Sequence, residues 1–431
     1  MALLLAAALA AGCGAAADGP IPRGGAVIAA VPAALKVHDV DAAHVSGNVE
    51  LLTGSSPVEA TIVRGLVAAF ERQHPQIHVH FSAINRDYPT VVLTHFAGGD
   101  APDVLEVDGK FFSDWASKGL LMPLNGFLTG GHVDVTRFHP QLLKSVLGPG
   151  GKTYGLPINY STVALFTNDE MLAAAGITSP PTTWAELEAD AKLLTTSGGA
   201  GGGAGNHAGL CLVPNWERML LFALQQNGGI VTPDGAHMAV TSPPTRAAID
   251  WVVRMLKSGS ATTPVSAGAS WCGDAFGKRK VAMALEGAWM LPPMHDQFPD
   301  VKYSVYPLPA GARQATLAYS GNIAISSTTK NPDAAWLLLD YLASPGAQKQ
   351  RAQLGLAVPA MTGVPYPTDL NVFANGIDYA TVWSLPPGFF NTVLITADNE
   401  MSAVLEGKQN VDGMLAAIDK VGKQMLAASA K

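Results

Sequence analysis

The chain has 431 residues, 48% of them hydrophobic and only 14% charged, with a net charge of −7. That length predicts two or three domains, and that apolar share predicts sizeable cores and excludes a disordered chain. The negative balance argues against a nucleic-acid or anionic-membrane surface, and after the first dozen residues no apolar run reaches the ~18 positions that span a bilayer.

Residues 1–11 are an apolar run of Leu and Ala ending in small residues, the form of a secretory leader. Leu9-Ala10-Ala11-Gly12-Cys13 resembles the bacterial lipobox, which implies a signal segment over 1–13 and a lipidated Cys13. No Lys or Arg precedes the run, which departs from that pattern. Residues 14–46, rich in Ala, Gly, Pro and Val, read as a flexible tether, with order beginning near Asn48. A strand is predicted over 49–53, a turn over 54–57 and a helix to about 74, its Val63, Leu66, Val67 and Phe70 on one face. Pro75 stops it. A strand over 77–84, a helix over 89–96 closed by Gly98-Gly99, and a strand over 103–107 follow. Strand–helix alternation with apolar strands is the mark of an α/β unit with a largely parallel sheet.

A helix is predicted over 114–120, a short strand over 152–156, and a strand over 162–167 that opens a second unit. Thr183-Trp184-Ala185-Glu186 is a capping box starting a helix to 194. Residues 197–209 are a glycine-rich loop. Asn215 caps a helix through 226, closed by Gly228-Gly229, and another helix covers 246–257. Strands are expected at 281–285, 304–307 and 323–325, a helix at 332–342, a turn and strand at 354–359, and terminal helices over 390–428 broken at Gly407.

The stretch 275–289, AFGKRKVAMALEGAW, is the most informative. A short basic segment leads into an apolar run of strand length, then Glu286-Gly287-Ala288-Trp289. Gly287 leaves bare backbone where the strand ends, and Trp289 follows at once. A flat aromatic beside bare backbone can form a platform for the apolar face of a sugar ring; the other reading is that Trp289 plugs the core under a loop. Of the eight Trp residues, Trp115, Trp184, Trp251 and Trp336 sit at helical spacing among apolar neighbours and read as core. Trp216, Trp271, Trp289 and Trp383 fall at helix starts or in loops, where a ring can face a cleft.

Other motifs carry less. Gly151-Lys152-Thr153 invites a phosphate-loop reading, but Val146 stands where that motif's first glycine belongs, so a hairpin turn is expected. His78 and His80 share one strand face without a third ligand at metal spacing, and a solvated face is expected. No motif of a serine hydrolase, zinc protease or dithiol is present. No cofactor and no metal site is expected. Asp108 and Glu286 could form a carboxylate pair of a glycoside hydrolase, a second reading that their spacing in sequence leaves open.

The order of motifs resembles that of the bacterial extracellular solute-binding proteins of the sugar-binding, maltose-type family. Gly98–Val104 resembles G-x-x-P-D-V, residues 152–157 resemble K-x-Y-G-x-P, residues 180–187 resemble P-P-x-T-W-x-E-L, residues 277–289 resemble G-K-x-A-M-x-x-x-G-x-W, and residues 330–336 resemble K-N-P-x-A-A-W. The resemblance covers about 48–425. It implies an α/β, type II periplasmic-binding-protein-like clamshell: an N-terminal lobe of 47–160 plus 316–372, a C-terminal lobe of 161–315 plus 373–431, and hinge crossings near 160, 316–320 and 372–379. It implies a monomeric, extracytoplasmic receptor without enzymatic activity, anchored to the cell membrane through Cys13, that captures a mono- or oligosaccharide and delivers it to the transmembrane subunits of an ABC importer. Glycerophosphodiesters or other polyols are the rival ligands. Carried over position by position, the binding set is Ser55, Ser56, Asp108, Tyr160, Trp216, Gly287, Trp289, Ser320, Gly321, Asn322 and Trp383. Carboxylates and amides would exchange hydrogen bonds with hydroxyls while rings cover the sugar's C–H face. Cys211 and Cys272 then fall in one exported lobe, either as a disulfide or as two buried thiols.

Overall fold

The computed structural model describes residues 38–129, 133–196 and 206–429. Cys13, the leader, residues 14–37 of the expected tether and most of the glycine-rich stretch therefore lie outside the described residues. The remainder of the expected tether is packed: Val40 is buried, the His38 amide donates to the Gly126 carbonyl at 3.0 Å, and the His38 ring meets Phe127 at 4.4 Å. Order starts before Asn48 because His38 and Val40 each find a partner on the first lobe.

Two sheets organise the chain. The first contains β1 (Gly47–Thr53), β2 (Ile77–Ala83), β3 (Val104–Asp108) and β4 (Gly155–Thr162). The second contains β5 (Ala164–Asn168), β6 (Ala208–Cys211), β7 (Ala261–Thr262), β8 (Val281–Glu286) and β9 (Tyr303–Tyr306). The chain then returns to the first sheet as β10 (Thr316–Ile325), β11 (Val358–Pro359) and β12 (Ala380–Val382). The orders are β11-β4-β10-β3-β1-β2, with β12 paired to β10, and β7-β6-β8-β5-β9. In the first sheet β1, β2 and β3 are parallel and β10 runs against both β3 and β4. In the second, β6, β7 and β8 are parallel and only β5 opposes its neighbours.

Local chemistry explains the regular elements. Helix Pro57–Gln73 begins at Ser56 with a reciprocal capping box to Glu59 and a proline in its first turn, and it buries Val63, Leu66, Val67 and Phe70. Helix Trp184–Leu194 starts at Thr183 with a second reciprocal box, to Glu186. Asn215 caps Trp216–Gln225 by accepting from the Arg218 amide at 3.0 Å. Helix Tyr88–Gly98 closes at Gly99, whose φ of 78° only glycine adopts cheaply. Residues expected as a helix over 114–120 are helical earlier, over Gly109–Ser117, because Asp108 at the end of β3 caps the turn directly. His78 and His80 are exposed on β2, and among the described residues no cluster of three or more metal-ligating side chains exists.

The lobes join where strands run on from one sheet into the other. β4 ends at Thr162 and β5 begins at Ala164. Thr162 Oγ1 donates to the Phe373 carbonyl, and Thr316 Oγ1 to that of Val163, both at 2.8 Å. The segment expected wholly in the second lobe from 373 gives one strand, β12, to the first sheet, and the Trp383 amide donates to the Ala318 carbonyl at 3.1 Å. Cys211, at the end of β6, and Cys272, at the start of helix Cys272–Gly277, form a disulfide inside the second lobe.

Candidate functional site

A cleft of about 450 Å³ opens where the crossing strands meet the C-terminal ends of β1 and β3. This is where an open α/β sheet offers backbone and loop side chains to a ligand. The first lobe contributes Gly54, Glu59, Tyr88, Glu106, Asp108, Lys110, Phe111 and Trp115; the crossing strands contribute Asn159, Ser161, Tyr319, Ser320 and Gly321. Trp289 enters from the second lobe, and Arg351 comes from helix Pro345–Ala352.

Trp289 is half-buried and held on several sides. Its Nε1–H donates to Glu286 Oε2 at 2.9 Å, and the Arg218 guanidinium lies 5.1 Å from its ring centroid. The Tyr319 ring meets it edge-on at 5.5 Å. Gly287 is required by close approach: a Cβ there would sit 2.2 Å from the Trp289 ring. The neighbouring Ala288 amide donates to Ser161 Oγ on β4 at 2.8 Å, which ties the loop to the crossing strand. The result is a ring fixed in advance, with an uncovered part facing the cleft.

Charge around the cleft is largely paired. Glu106 meets Arg351 at 3.0 Å, Arg218 meets Glu286 at 2.9 Å, and Lys110 lies 3.1 Å from Glu217 and 3.6 Å from Asp108. The Lys110–Glu217 pair links opposite lobes, since Glu217 sits in the first turn of Trp216–Gln225. Burial pushes the Glu106 and Asp108 carboxyls above the usual carboxylate range, opposed by Arg351 and by Lys110 respectively. For Lys110, burial pulls the ammonium down, but the Asp108 and Glu217 charges outweigh it and the net shift is upward. Nε and Nη2 of Arg351 and Nη1 of Arg218 are buried donors that no protein acceptor meets.

Only some of the positions drawn from the resemblance converge here. Asp108, Trp289, Ser320 and Gly321 line the cleft, and Gly287 supports Trp289 from behind. Ser55 is buried and donates to Thr53 Oγ1 at 2.8 Å, while Ser56 is occupied as the helix cap. Their neighbours Gly54 and Glu59 face the cleft instead. Asn322 is fully buried beneath it, donating to the Val107 carbonyl at 3.0 Å, and a bulge between Gly321 and Asn322 turns the strand there. Tyr160 points into the core and donates to the Ala374 carbonyl at 3.3 Å. Trp216 and Trp383 are 0% and 1% exposed. The first lies in the apolar core of the second lobe, and the second stacks parallel to Tyr319 at 6.4 Å. Both are core residues in this structure, members of the buried apolar cluster of the second lobe. Trp271 is half-buried and lies outside the cleft wall. Trp115, Trp184, Trp251 and Trp336 are all buried.

Glu59, Tyr88, Glu106, Lys110, Tyr319 and Arg351 line the cleft as well, outside the positions expected from the sequence. Two carried a signal: Ser56-Pro57-Val58-Glu59 is itself a capping box at a strand end, and Lys110 stands two residues past Asp108. Arg351 carried none, since it is an ordinary basic residue in the last turn of a helix and only tertiary packing brings it to Glu106.

The family model for "Bacterial extracellular solute-binding protein" matches residues 54–349. A multiple sugar-binding protein of Streptococcus mutans is 21% identical over 335 residues, 73% of this chain and 76% of that one. Among solved structures, the ABC substrate-binding protein Lmo0181 of Listeria monocytogenes, in complex with cycloalternan, superposes with a TM-score of 0.79 at 23% identity, covering 88% of this chain and 99% of the other. The GacH receptor of Streptomyces glaucescens, studied unliganded and with acarbose, gives 0.75 at 25% identity, covering 89% and 99%. The two sheets, the crossing strands between them and the cleft at their junction have the architecture of these binding proteins, and the chain belongs to the bacterial extracellular solute-binding protein family.

Proposed function

We propose that this protein captures a carbohydrate in the cleft between its lobes and delivers it to an ABC importer from an extracytoplasmic position, tethered through lipidated Cys13. The observation that carries the reading is the Trp289 ring, fixed on Gly287 and by Glu286, with its free part turned to a cleft rimmed by carboxylates and amides. A flat apolar face surrounded by groups that both accept and donate suits a pyranose, whose C–H face stacks while its hydroxyls bond at the rim. The family, the fold and the sugars in the relatives' names support the same reading.

A phosphodiester ligand is disfavoured by the pairing of Lys110, Arg218 and Arg351 with carboxylates, since an added anion would compete with Glu217, Glu286 and Glu106 for them. A hydrolase is disfavoured by Glu286. Its Oε2 already accepts from Arg218 and Trp289, and a carboxylate held by a guanidinium is a poor proton donor. Titration calorimetry with neutral oligosaccharides and with glycerophosphodiesters tests the proposal. Binding of a sugar without turnover is expected; binding of the phosphodiesters alone, or hydrolysis of a bound sugar, would overturn it.

A further inference from the structure

We infer that a small pocket beside the cleft is the subsite for one exocyclic hydroxymethyl group of the bound sugar, and that it selects hexopyranosides over pentopyranosides. The inference rests on the carbohydrate reading above. The pocket holds about 20 Å³ and adjoins the cleft, with which it shares Glu59, Asn159, Arg351, Leu356 and Ala357. Ile62, Ala352 and Leu354 line the pocket and not the cleft. Gly355, at a φ of 69°, makes the turn between Leu354 and Leu356 that leaves both on the pocket wall.

Most of the polar groups on this wall are engaged inside the protein. Gln348, also on the wall, accepts from the Met361 amide at 3.0 Å and donates to the Ala343 carbonyl at 2.8 Å. Arg351 is held by Glu106 at 3.0 Å. Glu59 takes the Ser56 amide on Oε2 at 2.8 Å, and Asn159 takes the Gly321 amide on Oδ1 at 3.2 Å. These last two keep one acceptor, Glu59 Oε1, and one donor, Asn159 Nδ2. Ile62, Leu354, Leu356 and Ala357 supply carbon around them. One acceptor and one donor in an otherwise apolar wall complement a single hydroxyl on a methylene, because a hydroxyl both donates and accepts.

Size and charge exclude the other substituents a sugar carries. A cavity of ~10–15 Å³ takes one water, so this pocket takes a hydroxyl and not an N-acetyl group, a phosphate or a further ring. Two carboxylates, Glu59 and Glu106, stand against the one Arg351 guanidinium, and the Glu106 carboxyl, raised chiefly by burial, also feels the Glu59 charge. The carboxylate of a sugar acid would add a like charge there. The hydroxymethyl arm is neutral and of the right size, and it is the one substituent that separates a hexopyranose from the pentopyranose of the same ring configuration.

The test is titration calorimetry of the whole protein with matched pairs of disaccharides, gluco with xylo and galacto with the corresponding arabino, beside denaturant melts. The members of a pair differ only in their hydroxymethyl arms. The parent should bind the hexo member about 10- to 200-fold more tightly, the range for one methylene in a fitted pocket. Leu354→Phe fills the pocket from a residue that does not line the cleft. It should weaken the hexo member several-fold and leave the pento member near its parent value. Ala352→Val narrows the same pocket from the helix and serves where Leu354→Phe does not fold. A parent that binds both members of its best pair equally would overturn the inference. So would a folded variant that keeps the parent's ratio, or one that loses both members equally. A parent that binds no sugar but binds another ligand class would overturn the carbohydrate reading itself, and that failure is visible before any variant is made.

Discussion

Replacing Trp289 by alanine probes the site at its best-defined point. Four contacts disappear together: the stacking surface toward the cleft, the Nε1 hydrogen bond to Glu286, the Arg218 contact at 5.1 Å and the edge contact with Tyr319 at 5.5 Å. The first acts on ligand affinity. Anchors of this kind commonly lose about 2 kcal/mol or more on truncation, roughly 30-fold in binding. The others act on the fold. A hydrogen bond to a charged group contributes about 1.5–3 kcal/mol and a cation–π contact about 0.5–1 kcal/mol, so a stability loss of about 2–4 kcal/mol is expected from these two. That is larger than a simple cleft-facing ring would give and approaches the ~3–5 kcal/mol of a fully buried ring. Stability alone therefore does not separate the two roles of Trp289, whereas affinity does. Trp289→Phe keeps a ring and leaves Glu286 its partner Arg218, so it should stay within a few-fold of the parent's affinity. Titration calorimetry on the folded fraction, beside denaturant melts, reads both quantities. Parent-like sugar affinity in Trp289→Ala would refute the platform reasoning.

Further outcomes are expected elsewhere. Cys211 and Cys272 close a loop with a sequence separation of 61, so reduction, or a Cys→Ser change at both, should destabilise the protein by about 2–4 kcal/mol; two alkylatable thiols in the native, unreduced protein would show that the bond does not form. Cys13→Ser should release the protein into the medium or leave it unprocessed, and a mutant that stays membrane-bound and is processed like the parent would contradict a lipid anchor there. A saturating sugar should reduce the radius of gyration in small-angle scattering, because only a ligand touching both lobes favours closure. An unchanged radius would indicate a preformed site. Lys110→Met removes the 3.1 Å inter-lobe pair with Glu217 and should enlarge the unliganded protein in the same experiment; an unchanged radius would assign that pair no part in holding the lobes.

Much of the fold was legible wherever the chemistry is local. Capping at Thr183 with Glu186 and at Asn215 placed two helix starts, and the Val63-Leu66-Val67-Phe70 stripe gave a core face. Strands whose pairing is distant were harder. The strand expected at 152–156 runs instead over Gly155–Thr162, and β10 begins at Thr316, seven residues before the expected 323. Its first half includes Ser320 and Gly321, whose partners lie on β4 more than 150 positions away. Trp289 could be singled out because Gly287 sits beside it in sequence. Tyr88 could not, because the glycine beside its ring, Gly54, lies on a different strand end, where a Cβ would stand 3.1 Å from that ring. The same reasoning explains Trp216 and Trp383: a loop position says that a ring can face a cleft, and only the assembled lobes decide whether another element covers it.

The most direct test is a crystal structure of the protein with the tightest-binding oligosaccharide. A pyranose is expected between the lobes, with one face on the Trp289 ring and hydroxyls bonded to Asp108 or its neighbours at the rim. A sugar bound elsewhere, or seated in the cleft without touching Trp289, would contradict it.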